Sequence, residues 1–215
     1  MCVAFSAAGD GTIVEHPESN ALIRYNAPEL YARCKEQDGV PNELGTYIRV
    51  AADIRKNRGM YTLDGALHTI ANYSRLDLST PYELELAVFS ASEQSDPQVG
   101  GSPWVAGAWP DSWMSFRGTG ILPARKGRTA GHAFKIVEYI RSQQLAKILN
   151  SWDGRWGDGN GEAWVRYSDL FGMLWEGWKT FDSPDPVYVP REGAVFTAVA
   201  PFRVVDTRIN KGLIG

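Results

Sequence analysis

The chain has 215 residues, 44% of them hydrophobic, and carries 22 Lys and Arg against 25 Asp and Glu, a formal net charge of −3. That is enough apolar material to bury a core, as one large domain or two small lobes. A mildly acidic chain without a long basic block lacks the electrostatic footprint of a nucleic-acid binder. The apolar run "AVFTAVAPF" falls far short of the roughly 18 residues that a membrane span needs, so no membrane span is expected.

The N-terminal residues have neither the basic flank nor the cleavage pattern of a secretory signal. Two cysteines, Cys2 and Cys34, are too few for a disulfide framework. Among His16, His68 and His132 and the two cysteines, no pair has zinc-ligand spacing, so neither a metal nor another cofactor is expected. The tryptophans crowd into the second half, which hints at two lobes of different character.

From Ala27 to about Asn57 the pattern is helical. "PELYARCKEQDG" puts Leu30, Tyr31 and Cys34 on one face, with Pro28 early and Gly39 just past the end. "LGTYIRVAADIRKNRG" spaces Ile48, Ala51, Ala52 and Arg55 as a helix does and stops at Gly59. "TPYELELAVFS" predicts a third helix, with Thr80 as N-cap and Glu83 completing a capping box.

After about residue 86 the texture changes. "GHAFKIVEYIR", "QLAKILNSW" and "GEAWVRY" read as strands, the last two joined by the glycine-dense turn "DGRWGDGNG". "SDLFGMLWEGW" reads as one short helix or an irregular wrap, and "PVYVP" and "GAVFTAVAPFRVVDTR" as extended segments. A helical half therefore precedes a β-rich half, an α+β chain. The division predicted is residues 1–86, residues 87–186, and a C-terminal extended segment and tail over 187–215.

Three residues are candidates for chemistry when read together: Cys2, His132 and Asn150. A thiol attacks as thiolate, and a free cysteine has a pKa near about 8.5, so it needs a histidine in hydrogen-bond reach or a helix N-terminus. The histidine in turn needs an acceptor to hold its ring and tautomer, which an asparagine oxygen supplies. Read alone, Cys2 is a small core residue and His132 a satisfied core histidine.

"CVAFSAA" resembles the nucleophile segment of papain-like cysteine peptidases, "GHAFKIVEY" their histidine strand, and "ILNSWDGRWGDGNGEAWVRYSDL" their asparagine segment. The order Cys, His, Asn matches, as do the gaps of 130 residues from Cys2 to His132 and 18 to Asn150; the resemblance covers roughly residues 2 to 170. It implies a two-lobe fold, an N-terminal helical lobe packed on a C-terminal antiparallel β-barrel-like lobe with the site between them. It further implies Cys2 as nucleophile, His132 as base and then acid, Asn150 as orienter, and Trp152 covering the Asn–His bond from water. The implied partner is a peptide or protein substrate, cut at a peptide or isopeptide bond through a thioester.

The sequence departs from the family pattern in places. The family's oxyanion-donating glutamine stands a few residues before the cysteine, where this sequence has only Met1; one missing donor typically costs about 10²–10³ in rate. Gly9, Asp10 and Gly11 interrupt the expected central helix and predict that it is short or kinked. Asp153 stands where the family has glycine, with Gly154 taking the turn, and Cys34 is read as a buried thiol.

The alternative is therefore a catalytically impaired papain-fold binding or structural module. A third reading, a carbohydrate-binding surface protein, rests on the tryptophans, which otherwise pack the β-rich half. "PFRVVDTR" resembles the opening of a β-rich module of some bacterial and phage surface proteins, against a plain last strand and tail. Location is accordingly expected to be cytoplasmic or associated with a phage or cell surface.

Overall fold

The first helix, α1 (Cys2–Ser19), runs unbroken through both interior glycines. The expectation that Gly9, Asp10 and Gly11 shorten or kink it is corrected by what they touch. A Cβ on Gly11 would stand 2.7 Å from a ring carbon of Tyr25, so glycine lets the helix approach that ring. Asp10 is fully buried and ion-paired, its Oδ1 2.8 Å from Lys135 Nζ and its Oδ2 2.5 Å from Arg55 Nη1. These tertiary contacts outweigh the roughly 1 kcal/mol that an interior glycine costs a helix. The computed structural model describes residues 1–19, 23–92, 101–152 and 155–181. The extended segments expected at "PVYVP" and "GAVFTAVAPFRVVDTR", and the turn at Asp153 and Gly154, lie outside the described residues.

Helices α2 (Ala27–Gln37) and α3 (Ile48–Arg58) form where the apolar spacing predicts them. Asn26 caps α2 by accepting the Glu29 N–H at 3.2 Å, Pro28 lies in the first turn, and Gly59 ends α3 at φ 71°. Leu30, Cys34, Ile48, Ala51 and Ile54 pack with Ala4 and Ala7 of α1 in one apolar cluster. A short hairpin, β1 (Met60–Tyr61) and β2 (Leu67–His68), leads to β3 (Asn72–Arg75).

The fourth helix, α4, is Tyr82–Ser92, beginning two residues after the expected cap at Thr80. Glu83 reaches back past Thr80 and accepts the Asp77 N–H at 2.5 Å, so the reciprocal capping box does not form. The expected strands appear as β5 (Thr129–Ile140), β6 (Leu145–Leu149) and β7 (Glu162–Arg166), preceded by β4 (Trp104–Pro110). "SDLFGMLWEGW" divides instead of forming one unit: α5 (Tyr167–Phe171) gives way to β8 (Leu174–Phe181).

Six strands make one antiparallel sheet in the order β3-β8-β4-β5-β6-β7. β3 and β7 are its edges, so among the described residues the sheet does not close into a barrel. Seven consecutive residues of β5, His132 to Glu138, are buried, because both faces of the strand are covered. Alternation sends Ala133 and Lys135 toward α1, and Phe134 and Ile136 into a second cluster with Trp109, Trp113 and Val165. Leu84 and Val88 of α4 close that second cluster.

Candidate active site

Cys2 is the first residue of α1, a half-buried free thiol. The opening N–H groups of a helix have no intrahelical partner, so Cys2 stands where backbone donors point outward. One turn on, Ser6 Oγ donates to the Ala133 carbonyl at 3.0 Å and ties the helix to β5. Ala133 follows His132, so the same bond sets the spacing between the thiol and the imidazole. Cys2 and His132 line one cleft of about 210 Å³, with Gly45, Thr46 and Tyr47 on one wall and Trp175 on another.

The structure brings His132 and Asn150 together. His132 Nε2–H donates to Asn150 Oδ1 at 2.9 Å, with the two residues 7% and 4% exposed. Asn150 directly follows β6, and its backbone N–H donates to the Gly161 carbonyl at 2.8 Å. Gly161, at φ 79°, is required here, since a Cβ would fall 2.9 Å from the Asn150 carbonyl oxygen. With Nε2 donating to Asn150, Nδ1 keeps its lone pair, the form a general base takes. Burial holds the His132 imidazole below its ordinary range, with the Asn150 bond pulling the other way.

Aromatic rings enclose this pair. Trp152 leans over His132 with ring centroids 5.0 Å apart, and Trp109 meets the same ring edge-on at 4.7 Å. Trp109 also contacts Trp113, Phe134, Trp152 and Trp156, and Trp156 Nε1–H donates to the Trp113 carbonyl at 2.7 Å. Sequence reasoning missed Trp109. Its role follows from the β4–β5 register, which sets Gly107 opposite His132, and no local motif announces that register.

Lys35 was missed as well. Its Nζ donates to Asp38 Oδ2 at 2.8 Å, to the Val40 carbonyl at 2.8 Å and to the Gly45 carbonyl at 3.0 Å, using all three protons. That hub folds the loop between α2 and α3 into the cleft wall. Cys34, one residue earlier, is fully buried in the helical cluster, and burial pushes its thiol up to about 12. Only Cys2 of the two cysteines is open to chemistry. Among the described residues no group of three or more His, Cys, Asp and Glu could hold a metal ion.

No family model matches the chain, and no curated protein matches it. Solved structures do. Xylellain, a cysteine protease from Xylella fastidiosa, is 18% identical over 85% of this chain and 79% of its own, with a TM-score of 0.66. The cysteine protease CMS1MS2 of Carica candamarcensis, solved in complex with E-64, is 15% identical over 84% of this chain and 89% of its own, TM-score 0.62. A structure from work on antibody cross-reactivity between the mite allergens Blo t 1 and Der p 1 is 16% identical over 84% and 63%, TM-score 0.64. The fold, helices packed on an antiparallel sheet, is that of papain-like cysteine proteases.

Proposed function

We propose that the chain is a cysteine peptidase that hydrolyses peptide or isopeptide bonds through a thioester acyl-enzyme. Cys2 is the nucleophile, His132 the base and then the acid, and Asn150 the orienter. The observation that carries this reading is the buried 2.9 Å His132–Asn150 bond, with His132 lining a cleft that Cys2 shares. The fold shared with cysteine proteases supports it.

The sequence of steps follows from the proton positions. His132 Nδ1 takes the Cys2 proton as sulfur adds to the substrate carbonyl carbon. The oxyanion that forms is met by the free N–H groups opening α1. The imidazolium then protonates the leaving nitrogen, the C–N bond breaks, and a thioester remains on Cys2. Water gives its proton to Nδ1 and attacks the thioester; the C–S bond breaks, the acid leaves, and sulfur recovers its proton. Asn150 keeps the ring oriented throughout, and Trp152 keeps water from that bond.

The test is a peptide pool digested by the full chain, with Cys2→Ala and His132→Ala beside it. Cleavage that both substitutions abolish, together with a thioester on Cys2 trapped at acid pH, is the expected result. Folded protein that cleaves no member of the pool overturns the reading.

One observation favours the impaired-module reading. Among the described residues that line the cleft, none carries a side-chain amide to join the backbone donors at the oxyanion. Peptide binding without turnover, undiminished in Cys2→Ala, is what that reading expects.

A further inference from the structure

The cleft that holds Cys2 and His132 carries two carboxylates, Glu43 and Glu176, and no Lys or Arg among the described residues that line it. Glu43 is exposed on the loop wall, whereas Glu176 is half-buried on β8. Trp178 Nε1–H donates to Glu176 Oε2 at 2.7 Å, which fixes the carboxylate and leaves Oε1 free to accept. Among the described residues Glu176 makes no ion pair; Arg75 lines, together with Glu176 and Trp175, the adjoining groove and does not line the cleft itself. A fixed carboxylate that makes no ion pair, in a cleft with low-dielectric walls and no cationic side chain among the described residues of its lining, concentrates cations.

The surfaces around it suit a long cationic side chain. Trp175, 59% exposed, precedes Glu176 and leans on Gly131, where a Cβ would sit 3.4 Å from its ring. Tyr47, 52% exposed, belongs to the loop wall. Lysine and arginine lay their methylene stems along such apolar faces and hold their charge at the end, where an aromatic face adds attraction.

Resting on the peptidase reading above, we propose that this cleft selects peptides with a Lys or Arg side chain close to the bond that is cut. Glu176 is its counter-charge, and Trp175 and Tyr47 pack its stem.

Blocked tetrapeptide amides carrying Lys or its uncharged isostere norleucine at each position in turn test this. They are titrated against the full chain with Cys2→Ala, read by tryptophan fluorescence, so that no thiolate is needed. At one position Lys binds about tenfold tighter than norleucine, the scale of a charge-assisted hydrogen bond, and the ratio shrinks as salt rises. Glu176→Gln collapses that ratio to about one, and Glu176→Lys turns the preference toward glutamate at the same position. Equal binding at every position overturns the proposal, and so does a Lys preference that survives Glu176→Gln or is lost only with Glu43→Gln. Cleavage of the peptide pool by the chain with Cys2 intact is read in parallel. Lys selection without cleavage overturns the peptidase reading alone, and cleavage without Lys selection overturns the subsite alone.

Discussion

Asp10 of α1 and Lys135 of β5 meet as a buried ion pair, Oδ1 to Nζ 2.8 Å, three residues beyond His132. Arg55 of α3 binds the same carboxylate, and Thr180 of β8 donates a hydroxyl to it. One carboxylate thus joins the helix that carries Cys2, the strand that carries His132, a second helix and the strand that carries Glu176. Gly101 completes the fit, since any Cβ there would overlap Asp10.

Asp10→Ala leaves Arg55 and Lys135 buried with no anion. Removing one partner from such a site costs about 3–5 kcal/mol. Burial alone would raise the Asp10 carboxyl, but Lys135 and Arg55 together hold it below the ordinary 3.8. A carboxyl lowered in the native state gives stability that is present above pH 3.8 and lost as pH falls through its native value. Urea melts of wild type and Asp10→Ala should therefore differ widely at pH 7 and converge in acid. Adding Lys135→Met to Asp10→Ala should recover part of the loss.

The two interior glycines of α1 separate by their neighbours. Gly9→Ala meets nothing closer than Lys135 Cδ at 3.6 Å, an ordinary contact, so helix propensity dominates and stability rises by up to about 1 kcal/mol. Gly11→Ala drives a methyl to 2.7 Å from the Tyr25 ring, and overpacking of that kind costs about 1–3 kcal/mol. Thermal melts should move in opposite directions for the two substitutions, and equal shifts would contradict this reading of the helix.

The His132 imidazole titrates below 6.5 because it is buried. Trp152→Ala admits water to the ring and should move its titration up toward 6.5. Asn150→Ala removes the bond that favours the charged ring and should move it further down. Proton NMR of the imidazole in each variant reads both signs. Since the unfolded chain binds the proton more readily, this residue's contribution to stability is present above pH 6.5 and declines as pH falls below it.

Lys35→Ala removes three hydrogen bonds that fold the cleft wall at Val40 and Gly45. Backbone amides between α2 and α3 should exchange faster, and peptide affinity should fall several-fold through loop ordering lost from the free state. Cys2 alkylation by a small reagent, which needs no wall, should keep its rate.

The chain announced α2, α3, α4 and three of its strands through spacing and punctuation. Ile48, Ala51 and Ala52 fall at helical intervals, and Gly59 marks the stop. The segments of the candidate site were legible because each is contiguous: Asn150, Ser151 and Trp152 stand together, and His132 opens a run of bulky residues. What was illegible depends on distant partners. Asp10 looks like a flaw in a helix until Lys135 arrives from 125 residues away. Trp109 needs the β4–β5 register to become a neighbour of His132, and β8 looked irregular because it takes its antiparallel partners, β3 and β4, from far back along the chain. Glu83 kept its helix-opening role but bonded Asp77 through a loop geometry that Thr80 did not disclose.

The most direct test is the rate at which a small thiol-directed electrophile alkylates Cys2 between pH 4 and 9, in wild type and in His132→Ala, with buried Cys34 as the internal reference. The expected result is fast labelling of Cys2 that persists into acid and is lost in His132→Ala. Slow labelling of Cys2 with the same pH profile in both proteins would contradict a working Cys2–His132 pair and leave a papain-like fold with a silent cleft.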